Sequence, residues 1–407
     1  MSAICIPRWL RPPLFSVSML ITMAVVYFTY FDEAWNMSEG DRAIVRVNLP
    51  FKKPLLHHPK GAAYVRANAS IISLVRNEEL DGIIQSMREL ERSFNSKFNY
   101  SWIFFNNEPF TDEFKRRTRK ETNGECHYEL IPPEHWNVPD WIDHNKLEES
   151  LHEMRAQGVQ YADKLSYHQM CRWNSGFFYK HPALKGIKYY WRVEPDVKFY
   201  CDIDYDVFKF MEEYNKTYGF TINVYDDPKS VRSLWPVTQS FLDANPQYLS
   251  RDNSLLWLTD RKRRPGRYDE ANGYSTCHFW SNFEIGDLDF WRSEAYEQFF
   301  EHLDRTGGFF YERWGDAPVH SVALGLFLDN EKIHWFRDIG YEHPPYINCP
   351  NLPSCQACQP NLFTHSWFNY EDCRPLWFHQ VCESRRRKGL DDEGMCMIAH
   401  SLRKYHD

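Results

Sequence analysis

The stretch ASIISLVRNEELDGIIQSMRELERSFNSKFNYSWIFF, residues 69–105, decides the fold class. Residues 69–75 are predominantly apolar, as in a strand that is buried on both faces. Residues 78–94 repeat apolar side chains at helical spacing, and residues 101–105 form a second apolar run. This order predicts a βαβ unit, which implies a parallel sheet with helices on both faces.

A third predicted strand runs directly into a pair of carboxylates. Residues 189–193 (YYWRV) follow a helix predicted over residues 147–162, and they end at Glu194-Pro195-Asp196. Ligands of such sheets bind at the carboxyl ends of the strands. Many nucleotide-sugar transferases hold Mn²⁺ or Mg²⁺ with carboxylates at this spacing, and the proline blocks continuation of the strand. Acidic pairs at strand ends also occur without a metal, so the spacing alone leaves both interpretations open.

Composition and charge limit the class of protein. The 407 residues are 43% apolar and 17% aromatic, which is enough to bury a large core. No repeat or low-complexity tract divides the chain, so we expect one large catalytic domain. The formal net charge of −8 provides no basic field for polyanions, and we therefore expect no nucleic-acid partner.

The N-terminus predicts a membrane anchor. Residues 12–31 carry no charged side chain and would form a helix of about 30 Å, the thickness of a bilayer core. Two arginines precede this run and two acidic residues follow it, which favours a type II orientation with the bulk of the chain in the lumen. A cleaved signal peptide is the alternative, but its apolar region is usually shorter. The predicted organisation is a cytoplasmic tail (1–11), a transmembrane signal-anchor (12–31), a stem (32–64), a catalytic domain (65–382) and a C-terminal tail (383–407).

Cysteines and glycosylation sequons agree with a lumenal domain. Ten of the eleven cysteines follow the predicted anchor, an even number that suits disulfides in an oxidising compartment. The pair Cys355 and Cys358 raises zinc as an alternative, but Cys373 and Cys382 are too far apart to complete a zinc ribbon or finger. Four acceptor sequons are present, at Asn36, Asn68, Asn99 and Asn215.

Several long segments resemble a known family. The segment over residues 167–199 (YHQMCRWNSGFFYKHPALKGIKYYWRVEPDVKF) is similar to the signature of the fungal Golgi α-1,2-mannosyltransferases, glycosyltransferase family 15. The resemblance covers about residues 65 to 380, whereas the tail beyond residue 382 matches no motif. Further matching blocks follow in the family's order, over residues 271–287, 309–327, 333–350 and 372–378.

The resemblance implies a fold, a donor and a location. The implied fold is of GT-A type, an α/β fold with a mixed, mainly parallel central sheet flanked by helices. The implied reaction transfers mannose from GDP-mannose with Mn²⁺ and retains the α configuration. Mannose-terminated O-linked or N-linked glycans would be the acceptors, and one transmembrane helix would hold the enzyme in the Golgi membrane with its catalytic domain in the lumen.

The same resemblance assigns roles by motif. Glu194 and His343 would bind the metal beside the diphosphate, a mixed oxygen and nitrogen set that Mn²⁺ accepts. Asp196, which the carboxylate spacing suggests, is a weaker candidate on the donor side and could instead orient a ligand. Glu284, flanked by apolar residues, would face the anomeric carbon, either as a nucleophile or as an electrostatic stabiliser. Asp316 would orient or deprotonate the acceptor hydroxyl, although Asp before Ala-Pro is also a good helix N-cap.

Three further residues complete the prediction. Tyr167 heads the first matching block and would contact the donor or acceptor, with a core tyrosine as the alternative. Arg76 follows the first strand, where a parallel sheet meets its ligand, and an arginine suits phosphate and guanine contacts. His278 is a weaker candidate, as a residue that orients a ligand.

Two alternatives to α-1,2-mannosyl transfer remain open at this point. One is a mannosylphosphate transferase or a transferase of another linkage. The other is a catalytically silent, membrane-tethered glycan-binding relative, which disagrees with the joint presence of Glu194, Glu284, Asp316 and His343.

Overall fold

The structure is a computed structural model that describes residues 64–360 and 362–389. The anchor predicted over residues 12–31 lies outside these ranges, as do the cytoplasmic tail, nearly all of the stem and residues 390–407. Within the described ranges, no helix is both long enough and apolar enough to cross a bilayer.

The strands are short and spread over the whole described chain. They are β1 (Ala69–Leu74), β2 (Ser101–Asn106), β3 (Cys126–Leu130), β4 (Tyr189–Arg192), β5 (Lys198–Phe199), β6 (Tyr218–Phe220), β7 (Asn223–Tyr225), β8 (Cys277–Phe279), β9 (Glu284–Asp287), β10 (Ile333–Trp335), β11 (Tyr341–His343) and β12 (Tyr346–Asn348).

Helices fill most of the connections between the strands. They are α1 (Leu80–Leu90), α2 (Ser96–Phe98), α3 (Asp112–Thr118), α4 (Pro133–Trp136), α5 (His144–Ala156), α6 (Leu165–Gly176), α7 (Val207–Glu213), α8 (Leu234–Ala244), α9 (Leu255–Leu258), α10 (Pro265–Glu270), α11 (Leu288–Trp291), α12 (Glu294–Arg305), α13 (Gly308–Tyr311), α14 (Asp316–Phe327) and α15 (Arg374–Arg387).

A seven-stranded sheet of order β10-β6-β9-β4-β1-β2-β3 forms the centre of the fold. The pairs β1–β2, β1–β4, β2–β3 and β6–β10 are parallel, whereas β9 runs antiparallel to both β4 and β6. The prediction of a mixed, mainly parallel sheet is thereby confirmed. The βαβ opening is confirmed too, because β1 and β2 pair in parallel on either side of α1.

Both faces of the central sheet are buried, as the apolar runs predict. Ile71 and Ile72 are adjacent on β1 and therefore point to opposite faces. Ile71 packs in a cluster with Ile83 and Met87 of α1, and Ile72 packs in a second cluster with Trp173 of α6 and residues of α14. The sheet thus separates two hydrophobic cores.

The helix predicted over residues 147–162 is observed with different bounds. It begins earlier, at His144, because the Asp143 carboxylate accepts hydrogen bonds from the backbone N–H groups of Asn145 and Lys146. It ends earlier, at Ala156, because Gly158 adopts a φ of 77° that leaves the helical region. Both differences lie at caps that the apolar periodicity does not detect.

A small second sheet stands at the carboxyl end of β4. After Arg192 the chain turns through Glu194-Pro195-Asp196 and enters β5, which pairs with β11 in a three-stranded sheet of order β12-β11-β5. Asp196 makes this turn with a φ of 61°, and its carboxylate lies so close to Gly82 that a Cβ there would be 2.8 Å from it. This sheet brings His343, the last residue of β11, to the end of β4.

Disulfides tie the C-terminal segments to the sheets. Cys355 and Cys358 bond to different partners, which confirms the disulfide interpretation over zinc for this pair. Cys126 and Cys171 are free thiols. The three bonds between described residues are Cys201–Cys355, Cys277–Cys373 and Cys349–Cys358.

We predict that the Cys277–Cys373 bond stabilises the whole domain, since it closes a loop between positions 96 residues apart and joins β8 to the start of α15. Replacing both cysteines by alanine should lower the free energy of unfolding by about 2–5 kcal/mol, as measured by urea denaturation. The matched control is Cys126→Ala, which removes a half-buried free thiol and should have a much smaller effect. Equal midpoints for the double variant and the unmodified protein would contradict the prediction.

Candidate active site

One arginine joins three carboxylates at the carboxyl end of β4. The Arg192 guanidinium is only 7% exposed. Its Nη2 donates to Glu194 Oε1 at 2.5 Å, and its Nη1 donates to Asp316 Oδ2 at 2.5 Å. The same Nη1 lies 4.0 Å from Glu284 Oε1. Three of the acidic residues predicted from the sequence therefore belong to one cluster.

Each carboxylate reaches the cluster from the end of a different element. Glu194 stands in the turn after β4, two residues beyond Arg192 and thus on the same side of an extended chain. Glu284 begins β9 and pairs directly with Arg192 across the antiparallel β4–β9 ladder. Asp316 is the first residue of α14. The backbone register fixes these positions, so the spacing of the three groups does not depend on mobile loops.

Glu284 is held on several sides in a dry environment, at 1% exposure. Its Oε2 accepts a hydrogen bond from the Tyr218 hydroxyl at 3.2 Å and lies 3.1 Å from His320 Nδ1. His320 Nε2 lies 3.1 Å from the Asn174 carbonyl oxygen, which can only accept, so Nε2 carries a proton. The contact between Nδ1 and Glu284 therefore requires one further proton shared by the pair.

Asp316 uses its carboxylate for side-chain contacts rather than for capping. Its Oδ2 accepts hydrogen bonds from Arg192 and from the Ser281 hydroxyl, the latter at 2.7 Å. The N-cap position of α14 is occupied by Gly315, and no side-chain cap hydrogen bond is present. The alternative that Asp316 acts only as an N-cap is therefore wrong, and the carboxylate is directed at the cluster.

Glu194 and His343 form the more exposed edge of the cluster, with 26% and 28% of their side chains accessible. Glu194 Oε2 lies 3.5 Å from His343 Nε2. Burial alone would raise the pKa of Glu194, but Arg192 and His343 outweigh it and hold this pKa at about 2. Burial alone would lower the pKa of His343, and the hydrogen bond and charge of Glu194 raise it instead.

The pair Glu194 and His343 fits one corner of a metal site. Two ligands bonded at about 2.1 Å to one octahedral cation are about 3 Å apart, close to the 3.5 Å between these two atoms. Among the described residues, no group of three or more His, Cys, Asp and Glu is arranged to hold a metal by itself. These two residues alone would not complete a coordination shell, so further ligands would have to come from outside the described side chains.

Tyr167 lies beside a second ion pair that flanks the cluster. The Arg313 guanidinium is 5.7 Å from the centre of the Tyr167 ring and donates from Nη2 to Asp226 Oδ1 at 3.0 Å. Desolvation raises the pKa of the Tyr167 phenol well above its ordinary value, so the hydroxyl stays a hydrogen-bond donor. His278 belongs to the same neighbourhood, where burial lowers its pKa and the charge of Asp226 opposes the shift.

Two predicted donor-side residues stand apart from the cluster. The Asp196 side chain is exposed and lies against Gly82, and Arg76 is paired with Glu78 and Glu79. No hydrogen bond or ion pair within the described part of the chain joins Asp196 or Arg76 to the three clustered carboxylates. Both residues nevertheless follow strand ends at the carboxyl edge of the sheet, and their donor roles stay predictions.

Four residues of the cluster were not predicted from the sequence: Arg192, Tyr218, Ser281 and His320. The sequence does contain a signal for Arg192. It is a charged residue inside an otherwise apolar strand, two positions before Glu194, and a buried charge costs free energy unless it has a partner. His320 follows Asp316 by one helical turn and so shares its face of α14. The contacts of Tyr218 and Ser281 depend on strand pairing over a long sequence separation.

Comparison with known proteins decides the family. The family model described as glycolipid 2-alpha-mannosyltransferase matches residues 36–381. The chain belongs to this family. Glycolipid 2-alpha-mannosyltransferase 1 of Candida albicans is 50% identical over 332 residues, which is 80% of this chain and 74% of that protein. Probable mannosyltransferase KTR4 of Saccharomyces cerevisiae is 47% identical over 327 residues, or 78% and 70% of the two chains.

Solved structures of relatives agree with membership of the glycolipid 2-alpha-mannosyltransferase family. Core-mannan synthase A (CmsA/Ktr4) of Aspergillus fumigatus, in a Mn/GDP form, has a TM-score of 0.79 and 60% identity, covering 82% of this chain and 92% of that chain. The mannosyltransferase Ktr4p of S. cerevisiae in complex with GDP has a TM-score of 0.79 and 42% identity, covering 88% and 92%. The family inferred from the sequence is confirmed.

We predict that Arg192 is required to keep the carboxylates together. Arg192→Met leaves Glu284 and Asp316 buried without their cation, and it should lower the free energy of unfolding by about 3–5 kcal/mol in urea denaturation of the metal-free protein. Arg192→Lys keeps one charge but not the planar fork, so its loss should be smaller.

The matched control for this prediction is Arg88→Met. Like Arg192, Arg88 donates two hydrogen bonds to carboxylate oxygens, in this case both of Glu121, but its side chain is 65% exposed. Because solvent screens such a pair, this variant should leave the free energy of unfolding nearly unchanged. A loss for Arg192→Met no larger than that of the control would show that the cluster does not depend on its arginine.

Proposed function

We propose that this chain is a retaining α-1,2-mannosyltransferase that moves mannose from GDP-mannose to a mannose hydroxyl at the Arg192 cluster. The observation that carries the proposal is that one guanidinium joins Glu194, Glu284 and Asp316 in a member of the glycolipid 2-alpha-mannosyltransferase family. A donor-side acid, an acid for the anomeric carbon and an acid for the acceptor are three separate requirements of such a transfer. The cluster supplies one residue for each.

Glu194 and His343 form the donor end of the proposed site. They are the more exposed members of the cluster, and their facing atoms are 3.5 Å apart. Their mixed oxygen and nitrogen set suits Mn²⁺, the ion present with GDP in the Aspergillus fumigatus relative. A bound Mn²⁺ would neutralise the negative charge that develops on the departing diphosphate. The low pKa of Glu194, about 2, keeps this carboxylate ionised and ready to act as a ligand.

Glu284 provides the acid that faces the sugar in the proposed reaction. Hydrogen bonds from Tyr218 and His320 engage the same oxygen, Oε2, whereas Oε1 lies 4.0 Å from Arg192 Nη1. A carboxylate with this many donors is a weak nucleophile, since its lone pairs are already stabilised. The arrangement supports an electrostatic role, in which Glu284 stabilises positive charge at the anomeric carbon as the diphosphate leaves.

Asp316 and Tyr167 form the acceptor end. Asp316 is oriented by Arg192 and Ser281 through a single oxygen, Oδ2, and its Oδ1 has no hydrogen bond among the described contacts. An oxygen in this position can accept a hydrogen bond from the acceptor O2 hydroxyl and take its proton during transfer. Tyr167 retains its phenolic proton and can donate to a sugar oxygen from the side of Arg313.

The proposed location is the Golgi lumen, with a type II anchor over residues 12–31. Two features of the described chain support a lumenal domain. Three disulfides join described residues, and such bonds persist in oxidising compartments. Asn68, Asn99 and Asn215 of the glycosylation sequons are all exposed, so the folded domain leaves room for glycans there.

The metal assignment predicts a coupled effect of Mn²⁺ and GDP on thermal stability. GDP at 100 times its dissociation constant stabilises the folded state by about 2.7 kcal/mol, and Mn²⁺ should be needed for this effect. Glu194→Ala and His343→Ala should each abolish most of the Mn²⁺-dependent shift in melting temperature. Glu213→Ala, which removes an exposed carboxylate on α7, should keep the full shift.

The same assay distinguishes the donor-side carboxylates. If Asp196 contacts the donor or its metal, Asp196→Ala will reduce the shift, and if it only packs on Gly82 the shift will persist. A normal Mn²⁺-dependent shift in both Glu194→Ala and His343→Ala would refute the metal assignment.

Activity separates the role of Glu284 from binding. Glu284→Gln keeps the shape of the side chain but removes its charge, so it should lower kcat with GDP-mannose and methyl α-mannoside by about a thousandfold while leaving the Mn²⁺/GDP thermal shift intact.

The disaccharide formed by the unmodified protein should be cleaved by an α-1,2-specific mannosidase. A product resistant to that enzyme would disprove the linkage, and normal turnover by the folded variant would disprove the assignment of Glu284.

A further inference from the structure

A group of adjacent aromatic side chains lies in the segment before α15, and we call Trp367, Phe368 and Tyr370 the aromatic platform. The Trp367 side chain is 62% exposed. This exposure is unusual, because tryptophan has the largest side chain of the amino acids and this protein buries most of its tryptophans. Its ring lies 4.4 Å from that of Phe368 and 5.5 Å from that of Tyr370, the latter in a stacked arrangement. Trp367 is thus the exposed member of a group of three adjacent rings, of which Phe368 and Tyr370 are half-buried.

The aromatic platform is connected to the metal side of the active site by neighbouring rings. Phe368 and Tyr346 have ring centres 6.4 Å apart, and Tyr346 is 5.0 Å from Trp280. Trp280 in turn packs its ring 4.9 Å from His343. Three successive ring contacts therefore connect the platform to His343, a predicted metal ligand.

A second route connects the platform to the acceptor side. The Arg267 guanidinium lies 5.9 Å from the centre of the Tyr370 ring and donates to the Asp226 carbonyl oxygen at 2.8 Å. Asp226 accepts from Arg313, which contacts the Tyr167 ring and stands three positions before Asp316. These successive contacts link the platform to Arg313 and Tyr167, at the end of the site where the acceptor is expected.

The backbone beneath the platform is held on both sides. Thr364 Oγ1 donates to the Pro345 carbonyl oxygen at 2.7 Å, and Arg264 donates to the Tyr370 carbonyl oxygen at 2.8 Å. Ser366 receives a further anchor, because its backbone N–H donates to Thr364 Oγ1. A surface fixed in this way loses little conformational entropy when it binds a ligand.

The composition of the segment points to a carbohydrate. Residues 364–371 read THSWFNYE, which combines aromatic and polar side chains and includes no aliphatic one. Aromatic rings stack on the C–H faces of pyranoses, while interspersed polar groups bond to the hydroxyls. A membrane-binding surface would instead combine aromatic with aliphatic and basic side chains.

We propose that the aromatic platform binds mannose residues of an extended acceptor chain, beyond the mannose that receives the new linkage. This inference rests on the proposed mannosyl transfer at the Arg192 cluster and extends it to the substrate, an oligomannoside rather than a single mannose. Trp367 stacks on a pyranose ring of the chain and so increases the affinity for longer acceptors. It has no contact with the reacting mannose.

Acceptor length provides the test. Trp367→Ala should raise KM for α-linked mannotriose about tenfold, leave kcat for this acceptor unchanged, and leave both constants for methyl α-mannoside unchanged. Trp367→Tyr keeps a stacking ring and should restore most of the affinity for mannotriose. The control is Trp141→Ala, which removes another tryptophan of similar exposure, 57%, that is packed near Arg172 rather than near the site.

Titration calorimetry with mannotriose and the full chain loaded with Mn²⁺ and GDP gives a second readout that does not require turnover. The affinity of Trp367→Ala should again be about tenfold lower than that of the unmodified protein and of Trp141→Ala. Equal KM and Kd values for mannotriose in all three proteins would overturn the proposal, as would a raised KM for GDP-mannose or an equal loss with methyl α-mannoside. An unmodified protein that transfers no mannose but shows this difference in Kd would refute the proposed reaction and keep the platform.

Discussion

The Arg192 guanidinium is the positive charge that Glu194, Glu284 and Asp316 share. Carboxylates buried this close together repel one another and lose hydration, so they can share a site only when a positive charge bridges them. The planar fork of an arginine donates from nitrogens that are fixed apart from one another, whereas all three donors of a lysine radiate from a single nitrogen. The distances between the three carboxylates therefore depend on a single side chain.

The fold supports this interaction by placing Arg192 on a central strand. β4 is hydrogen-bonded to β1 on one side and to β9 on the other, and the antiparallel β9 puts Glu284 directly opposite Arg192. The chain then leaves the sheet at once, which sets Glu194 beside the small sheet that carries His343. Groups mounted on the ends of rigid elements hold their geometry better than groups on loops, which suits chemistry that depends on small distances.

The sequence predicts the local parts of this arrangement better than the long-range ones. Apolar periodicity was sufficient to predict β1, α1, β2 and β4. Motif resemblance predicted that Glu194 and His343 share a site, and their facing atoms lie 3.5 Å apart. The antiparallel insertion of β9, and with it the pairing of Arg192 with Glu284, depends on a register that joins positions 92 apart in the sequence. The positive φ of Asp196 is equally hidden, since a non-glycine residue gives no signal for it.

The charge balance of the cluster favours the binding of further positive charge. Three carboxylates against the Arg192 guanidinium and the one further proton of the Glu284–His320 pair leave a formal excess of one negative charge, and Glu284 and Asp316 are almost fully removed from water. Such an excess is unfavourable in a dry site unless further positive charge enters it. Two sources fit: a divalent ion at the exposed edge formed by Glu194 and His343, and the charge that develops on a sugar carbon at the buried end near Glu284. In the proposed transfer, this negative charge would be satisfied most completely in the transition state, which is the condition for electrostatic catalysis.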